Sequence, residues 1–418
     1  GNVSLCSFMV TVVRDLNAPV AVAASDVGTT IFTANWEPVE FATTYFLDVS
    51  ATETFTTFLS GFNNRNVGNT QSFLVSDLSP SQTYYYRVRA NTSCSTSPNS
   101  NTISVITVLP GDPIEVNASI GLGHQTYASL KLAFDNINNG THRGEVTIKV
   151  HQSTSESAIA ALNASGSGSA YYTSVLVYPT ASGLSISGTF SGNPLINLNG
   201  ADNVTFDGRV NAAGTEKSLT IVNFSNASNT ATSTIRFINS AENNTFRFCQ
   251  IQGATIQSSS GVVFFSTSTS GSGNINNNIL DCNLSGISET ERPINVVFSA
   301  GSNARENRGN SITNNNFFNH FNAGSNSTGI SLASNTSHWT ITGNSFYETT
   351  SPFVPTGAFT YTAVNVSNTS GNGFVIAVNF IGGSGPGCSG NPMIISSATS
   401  SRLTGIYLSV GAATASSL

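Results

Sequence analysis

One degenerate phrase returns through the last two-thirds of this 418-residue chain, and it constrains the fold more than any other feature. It reads Asn243-Asn244-Thr245-Phe246-Arg247-Phe248-Cys249, then Asn276-Asn277-Asn278-Ile279-Leu280-Asp281-Cys282, then Asn314-Asn315-Asn316-Phe317-Phe318-Asn319-His320. Fainter copies are Asp202-Asn203-Val204-Thr205-Phe206-Asp207, Thr342-Gly343-Asn344-Ser345-Phe346-Tyr347 and Ile376-Ala377-Val378-Asn379-Phe380-Ile381. The apolar anchors Phe206, Phe246, Ile279, Phe317, Phe346 and Phe380 are separated by 40, 33, 38, 29 and 34 residues. A repeat on that scale means stacked supersecondary units, none of which buries its apolar face alone. The chain therefore reads as a solenoid with loops of varying length between its rungs.

Charged residues make up only 9% of the chain while hydrophobic residues reach 39%, so it folds, with a surface wetted by hydroxyls and amides. Alternating runs such as Glu145-Val146-Thr147-Ile148-Lys149-Val150 recur and long helical periodicity is nearly absent, which makes the protein all-β. The net charge is −6 and no Lys/Arg cluster exists, which argues against nucleic acid and anionic membranes as partners. No apolar run is long enough for a membrane span, so membrane insertion is not expected. Both ends of the sequence fall inside strand-like text, and the chain reads as a segment of something longer. Cys249 and Cys282 share a rung position, where parallel side chains suit a buried thiol pair better than a disulfide.

Three modules are legible. Residues 19–108 hold Trp36 in the alternating run Thr30–Trp36, a next strand at Tyr45-Phe46-Leu47-Asp48-Val49-Ser50, and Leu78-Ser79-Pro80-Ser81-Gln82-Thr83-Tyr84. A buried Trp, short strands and a tyrosine-corner candidate at Tyr84 describe an immunoglobulin-type sandwich, and the pattern resembles a fibronectin type III domain. Before it, Cys6 to Asp15 within residues 1–18 resembles the C-terminal end of a hyalin-type repeat, and Asn17-Ala18-Pro19 makes a stiff linker. Leu109-Pro110-Gly111-Asp112-Pro113 opens the third module, residues 109–418.

That module begins with the one convincing helix, Tyr127 to Asn139, whose Leu130, Phe134 and Ile137 share a face and whose end is marked by Gly140. A helix there suits a cap over the open end of a solenoid. The rungs resemble the right-handed parallel β-helix of pectate-lyase type. Phe246 and Ile251, and likewise Ile279 and Leu284, are expected to point into its core, with Asn319 at a bend where that fold stacks asparagines.

Catalysis on polysaccharides requires paired carboxylates or a calcium cluster with a base. Asp202 and Glu242 occupy equivalent rung positions. Asp281 and Glu348 are placed two rungs apart with Asn319 between them, at about 9.6 Å by strand spacing. Both pairs read as ladder or solvated carboxylates. Asp207-Gly208-Arg209 reads first as a turn, Glu289 and Glu291 as loop residues able to meet a cation, and Arg305-Glu306-Asn307-Arg308 as surface pairs. The histidines lack metal-ligand spacing, and His320 is assigned to the cysteine column as a packed core residue. No catalytic residue, metal or cofactor is expected. Stacking aromatics are the better binding candidates, because sugar rings lie on flat apolar faces: Trp339 as the preferred exposed one, with Tyr347, Tyr361, Phe353 and the pair Tyr171-Tyr172.

The order of modules, with the phrases Tyr127-Ala128-Ser129-Leu130-Lys131-Leu132-Ala133-Phe134 and Asn203-Val204-Thr205-Phe206-Asp207-Gly208, resembles the giant secreted adhesins of Bacteroidota. Those include the filamentous gliding adhesins of SprB type exported by type IX secretion. The resemblance implies an extracellular, outer-membrane-associated stalk that touches polysaccharide or solid surfaces through many weak sites. It also implies neighbouring modules of the same long chain and cell-surface anchoring proteins as partners. The alternatives are a β-helical polysaccharide lyase or glycoside hydrolase with an accessory module, and a spacer without a ligand.

Overall fold

A computed structural model describes residues 15–79, 82–108 and 112–418. The hyalin-like reading and Cys6 lie outside the described residues. The chain divides into two compact units, with the second starting at Asp112.

In the first unit, a three-stranded antiparallel sheet (Ala21–Ser25, Phe32–Trp36, Ser72–Val75) faces a four-stranded one (Thr44–Ser50, Arg65–Gly68, Thr83–Asn91, Ile103–Ile106). The strand Thr83–Asn91 alternates strictly, with Tyr84, Tyr86, Val88 and Ala90 buried. Trp36 packs on Tyr45 with ring centroids 5.7 Å apart. Tyr84 Oη accepts the Ser79 N–H at 2.9 Å, the bond that defines a tyrosine corner.

The second unit is a parallel β-helix of about seven turns. Each coil supplies one short strand to each of three sheets. Sheet I contains Val204–Asp207, Thr245–Arg247, Asn278–Leu280, Ser311–Thr313, Thr340–Thr342 and Val375–Ala377 in stacked order. Sheet II contains Leu219–Asn223, Cys249–Gly253, Asn283–Ser285, Asn316–Phe318, Ser345–Tyr347 and Phe380–Ile381. Sheet III contains Ser233–Ile238, Val263–Phe265, Asn295–Ser299, Ser327–Leu332, Thr360–Asn368 and Arg402–Val410. One apolar core runs through the coils, with Phe206 stacked on Phe246 at 4.6 Å and Phe317 on Phe346 at 4.7 Å.

The helix spans Leu130–Asn138 and packs its buried face (Leu130, Ala133, Phe134, Ile137) on the first strand of sheet III, Ala160–Asn163. Ser129 Oγ accepts the Leu132 N–H, and the Glu156 carboxylate takes those of Leu130 and Lys131 at 3.0 and 2.9 Å. These bonds satisfy three of the donors a helix start leaves free. Gly140 follows at φ 79°, where a side chain would meet Ser169 O at 2.6 Å.

The register corrects the repeat. Phe206, Phe246 and Ile279 continue upward as Ile312, Ile341 and Ile376 in sheet I. Phe317 and Phe346 stand in sheet II instead, above Ile251 and Leu284. Both corners flanking sheet I carry an Asn-Asn-x-apolar phrase, so the motif repeats within a coil as well as between coils, and a single alignment splices the two. The same splice explains two other differences. Asp281 follows a strand of sheet I and Glu348 a strand of sheet II, so they do not stack. His320 lies beyond a sheet II strand, outside the cysteine column, although it is fully buried as expected.

Candidate functional site

Asparagines form ladders at the corners, and they decide which aromatic residues remain available for binding. Before sheet I stand Asn244, Asn277 and Asn310, whose Nδ2 groups donate to Ala201 O, Ala241 O and Asn274 O at 2.8, 2.9 and 3.0 Å. The next residue in this column is Trp339, and its Nε1 donates to Asn307 O at 2.8 Å. The indole does the work of a ladder amide and is fully buried. Trp339 is therefore not an exposed binding face. It sits at the corner just before the strand Thr340–Thr342, next to His338 at a φ of 56°.

The other aromatic candidates are mostly internal as well. Tyr361 is buried in a satellite core with Phe321 and Phe353, and its Oη donates to Asn322 O. Tyr347 is buried and stacks on Phe318 at 5.4 Å. Tyr172 is buried and its Oη donates to Asn163 O. Of the five principal candidates only Tyr171 is open to solvent, at 58%.

Between sheets I and II the ladder column is Cys249, Cys282, Asn315, Asn344 and Asn379. Asn319 is not in it: its Oδ1 accepts from Thr349 N and Oγ1 at 2.9 and 2.8 Å. Cys249 and Cys282 are buried free thiols, and burial pushes the Cys249 thiol well above its ordinary range.

The carboxylates are mostly occupied. Asp207 is buried beneath Arg209 and Arg247, whose nearest nitrogens lie 2.6 and 2.8 Å from Oδ2. Glu348 accepts the backbone N–H groups of His320 and Phe321, both at 3.0 Å, and its Oε2 lies 2.5 Å from Arg292 Nη1. Asn307, read above as a surface residue, is a buried ladder amide, while Glu306 accepts the Ser337 hydroxyl. Glu289 accepts the Thr350 hydroxyl at 2.8 Å. Asp202 Oδ1 accepts the Glu242 N–H at 2.7 Å, and Glu242 accepts the Ser272 hydroxyl. Burial first, and the nearby Glu242 charge with it, raises the Asp202 carboxyl to about 6. Among the described residues no group of His, Cys, Asp and Glu is arranged to hold a metal ion.

The outer face of sheet III presents a different surface. Three successive strands, Ser327–Leu332, Thr360–Asn368 and Arg402–Val410, align Thr328, Thr362 and Thr404 in one outward column and Ser331, Asn365 and Tyr407 in another. Asn326, Thr328, Thr360, Thr362, Asn365, Arg402, Thr404 and Tyr407 line a groove of about 370 Å³. Asn326 Oδ1 accepts the Thr360 N–H at 2.8 Å, which fixes one wall. Tyr407 is 51% exposed and offers a ring face beside hydroxyls and amides. No carboxylate lines this groove. A larger hollow of about 600 Å³ at the corner leading to sheet I, lined by Ser272, Asn303, Ala304, Glu306, Arg308, Asn335 and Ser370, has no aromatic plate. Tyr407 was absent from the sequence candidates. Its pairing with Asn365 is the signal that singles it out, and that pairing depends on the full coil between the two strands, which includes Val375–Ala377 of sheet I and Phe380–Ile381 of sheet II.

Residues 17–106 match the fibronectin type III domain model. A solved fibronectin type III domain of human fibronectin type III domain containing protein 3 is 18% identical, covering 24% of this chain and 92% of its own, with a TM-score of 0.20. A pectate lyase from Pectobacterium carotovorum is 9% identical over 92% of this chain and 91% of its own, with a TM-score of 0.19. No curated protein matches the chain. Among the described residues no helix is long and apolar enough to cross a membrane. The chain carries a fibronectin type III domain at its N-terminal side, followed by a parallel β-helix.

Proposed function

We propose that this chain is an adhesive segment of a modular extracellular protein, and that its β-helix binds glycan without cleaving it. The observation that carries the reading is the sheet III groove, lined across three coils by threonines, asparagines, Tyr407 and Arg402 and by no carboxylate. Stacked hydroxyls and amides match sugar hydroxyl groups, and the exposed tyrosine supplies the flat apolar face a pyranose ring stacks on. Hydrolysis would need an acid and a base across the bond, and this groove provides neither. The module order supports placement in a cell-surface stalk of the Bacteroidota gliding-adhesin type, exported by type IX secretion and working by avidity over repeated weak contacts. Neighbouring modules and surface anchoring proteins would be its partners.

Affinity electrophoresis through polysaccharide-loaded gels tests the assignment. Retardation lost in Tyr407→Ala and Asn365→Ala, and kept in Tyr171→Ala, supports the groove. Retardation unchanged by the groove variants contradicts it.

One observation favours the second reading, a β-helical lyase or hydrolase: Asp202 is a carboxyl raised to about 6 beside a second carboxylate, Glu242. If the chain cleaves, Asp202→Asn abolishes the new reducing or unsaturated ends. If it only binds, that variant behaves as the parent does.

A further inference from the structure

The outer face of sheet II carries a lysine–asparagine contact that spans three coils. Lys217 precedes the strand Leu219–Asn223, and its Nζ reaches past the next coil to lie 2.7 Å from Asn283 Oδ1. Its backbone is anchored in the intervening coil, where Gln250 Nε2 donates to Lys217 O at 3.0 Å. Asn283 Oδ1 also accepts from Asn316 Nδ2, one coil further on, at 2.9 Å. The Asn316 donor draws electron density from that oxygen's carbonyl carbon, as a donor does at any carbonyl under nucleophilic attack. Partial burial holds the Lys217 amine below its ordinary range, against the opposing pull of the charge on Asp281, two residues before Asn283. A nucleophile therefore meets a polarised amide, with a carboxylate two residues away along the chain.

We propose that Lys217 and Asn283 join in an intramolecular isopeptide bond, with Asp281 carrying the proton. The uncharged Nζ attacks Asn283 Cγ and a C–N bond forms. The Asp281 carboxylate takes a proton from Nζ and returns it to Nδ2. The Cγ–Nδ2 bond then breaks and ammonia leaves, so atoms balance and no oxidant or reductant is required. Oδ1 keeps its bond from Asn316, and Asp281 ends as it began. The product closes a covalent loop over three coils, which removes chain entropy from the unfolded state and stops those coils from unravelling under tension. This assignment does not depend on the glycan reading.

Intact-mass measurement of the full chain, followed by peptide mapping, tests it. The expected wild-type mass is lighter than the sequence mass by one ammonia, and the digest contains a branched peptide joining Lys217 to Asn283. Lys217→Arg and Asn283→Ala restore the full mass. Asp281→Asn, at a backbone φ of 52° that asparagine adopts readily, is expected to prevent or slow the ammonia loss while circular dichroism stays unchanged. A wild-type chain at full sequence mass overturns the proposal. So does ammonia loss without a branched peptide, the mark of succinimide closure at an asparagine. Rapid bond formation in Asp281→Asn overturns the carboxylate's role.

Discussion

Asn315 holds Cys282, one coil before it, through a hydrogen bond from the Cys282 N–H to its Oδ1 at 2.8 Å. Its Nδ2 donates to Ile279 O at 2.8 Å, while Cys282 Sγ faces Phe246 O at 3.4 Å. Ile279 and Phe246 are register partners in sheet I, so thiol and amide do the same task on successive coils. Cys282→Asn is expected to extend the ladder and raise stability by ~1 kcal/mol, the net value of a typical hydrogen bond. Cys282→Val removes the weak thiol donor and is expected to lower it by a similar amount. Urea midpoints of the two variants check both signs.

Trp339 binds the coils together rather than a ligand. Trp339→Phe leaves Asn307 O without its buried donor and is expected to cost ~1–3 kcal/mol, with glycan retardation unchanged in the folded fraction. Tyr407→Ala is expected to do the opposite: little change in thermal midpoint and loss of retardation.

Arg292 and Glu348 are a buried pair whose removal is asymmetric. Glu348→Ala leaves the guanidinium unpaired and orphans the N–H groups of His320 and Phe321, at an expected cost of ~3–5 kcal/mol. Arg292→Met in that background is expected to recover part of the loss, because it removes the unpaired charge. A double-mutant cycle by thermal denaturation measures the coupling.

His320 gives the β-helix an acid-sensitive step. Both ring nitrogens are buried without hydrogen-bond partners, Nδ1 standing 3.9 Å from Glu348 Oε1, and burial, with Arg292 adding to it, lowers the imidazole to about 3. In the unfolded chain the ring takes its proton near 6.5. Between those values the unfolded state binds more protons, so stability is full above about pH 6.5 and declines as pH falls toward 3. His320→Phe is expected to be more stable than the parent at neutral pH and to flatten that decline, read from thermal midpoints across the range.

Much of the fold was legible because local rules and global packing agree. The helix face Leu130–Ile137, its Gly140 terminus and the Tyr84 corner each follow from a few neighbouring residues and stand as read. The coil register was not legible, because Asn276-Asn277-Asn278-Ile279 and Asn314-Asn315-Asn316-Phe317 look alike but turn different corners. Trp339 was not legible as a core residue, because the corner column it fills, in line with Asn310, is set by the register of Ser311 with Thr340 and not by its polar neighbours. The groove was beyond sequence reading because Thr328, Thr362 and Thr404 meet only through long-range register.

The central claim is that this β-helix holds glycan and leaves it intact. The most direct measurement is a screen of the purified chain against a polysaccharide panel, following retention together with new reducing or unsaturated ends. The account predicts retention on at least one polysaccharide, loss of that retention in Tyr407→Ala, and no new ends. Cleavage that disappears in Asp202→Asn would contradict it.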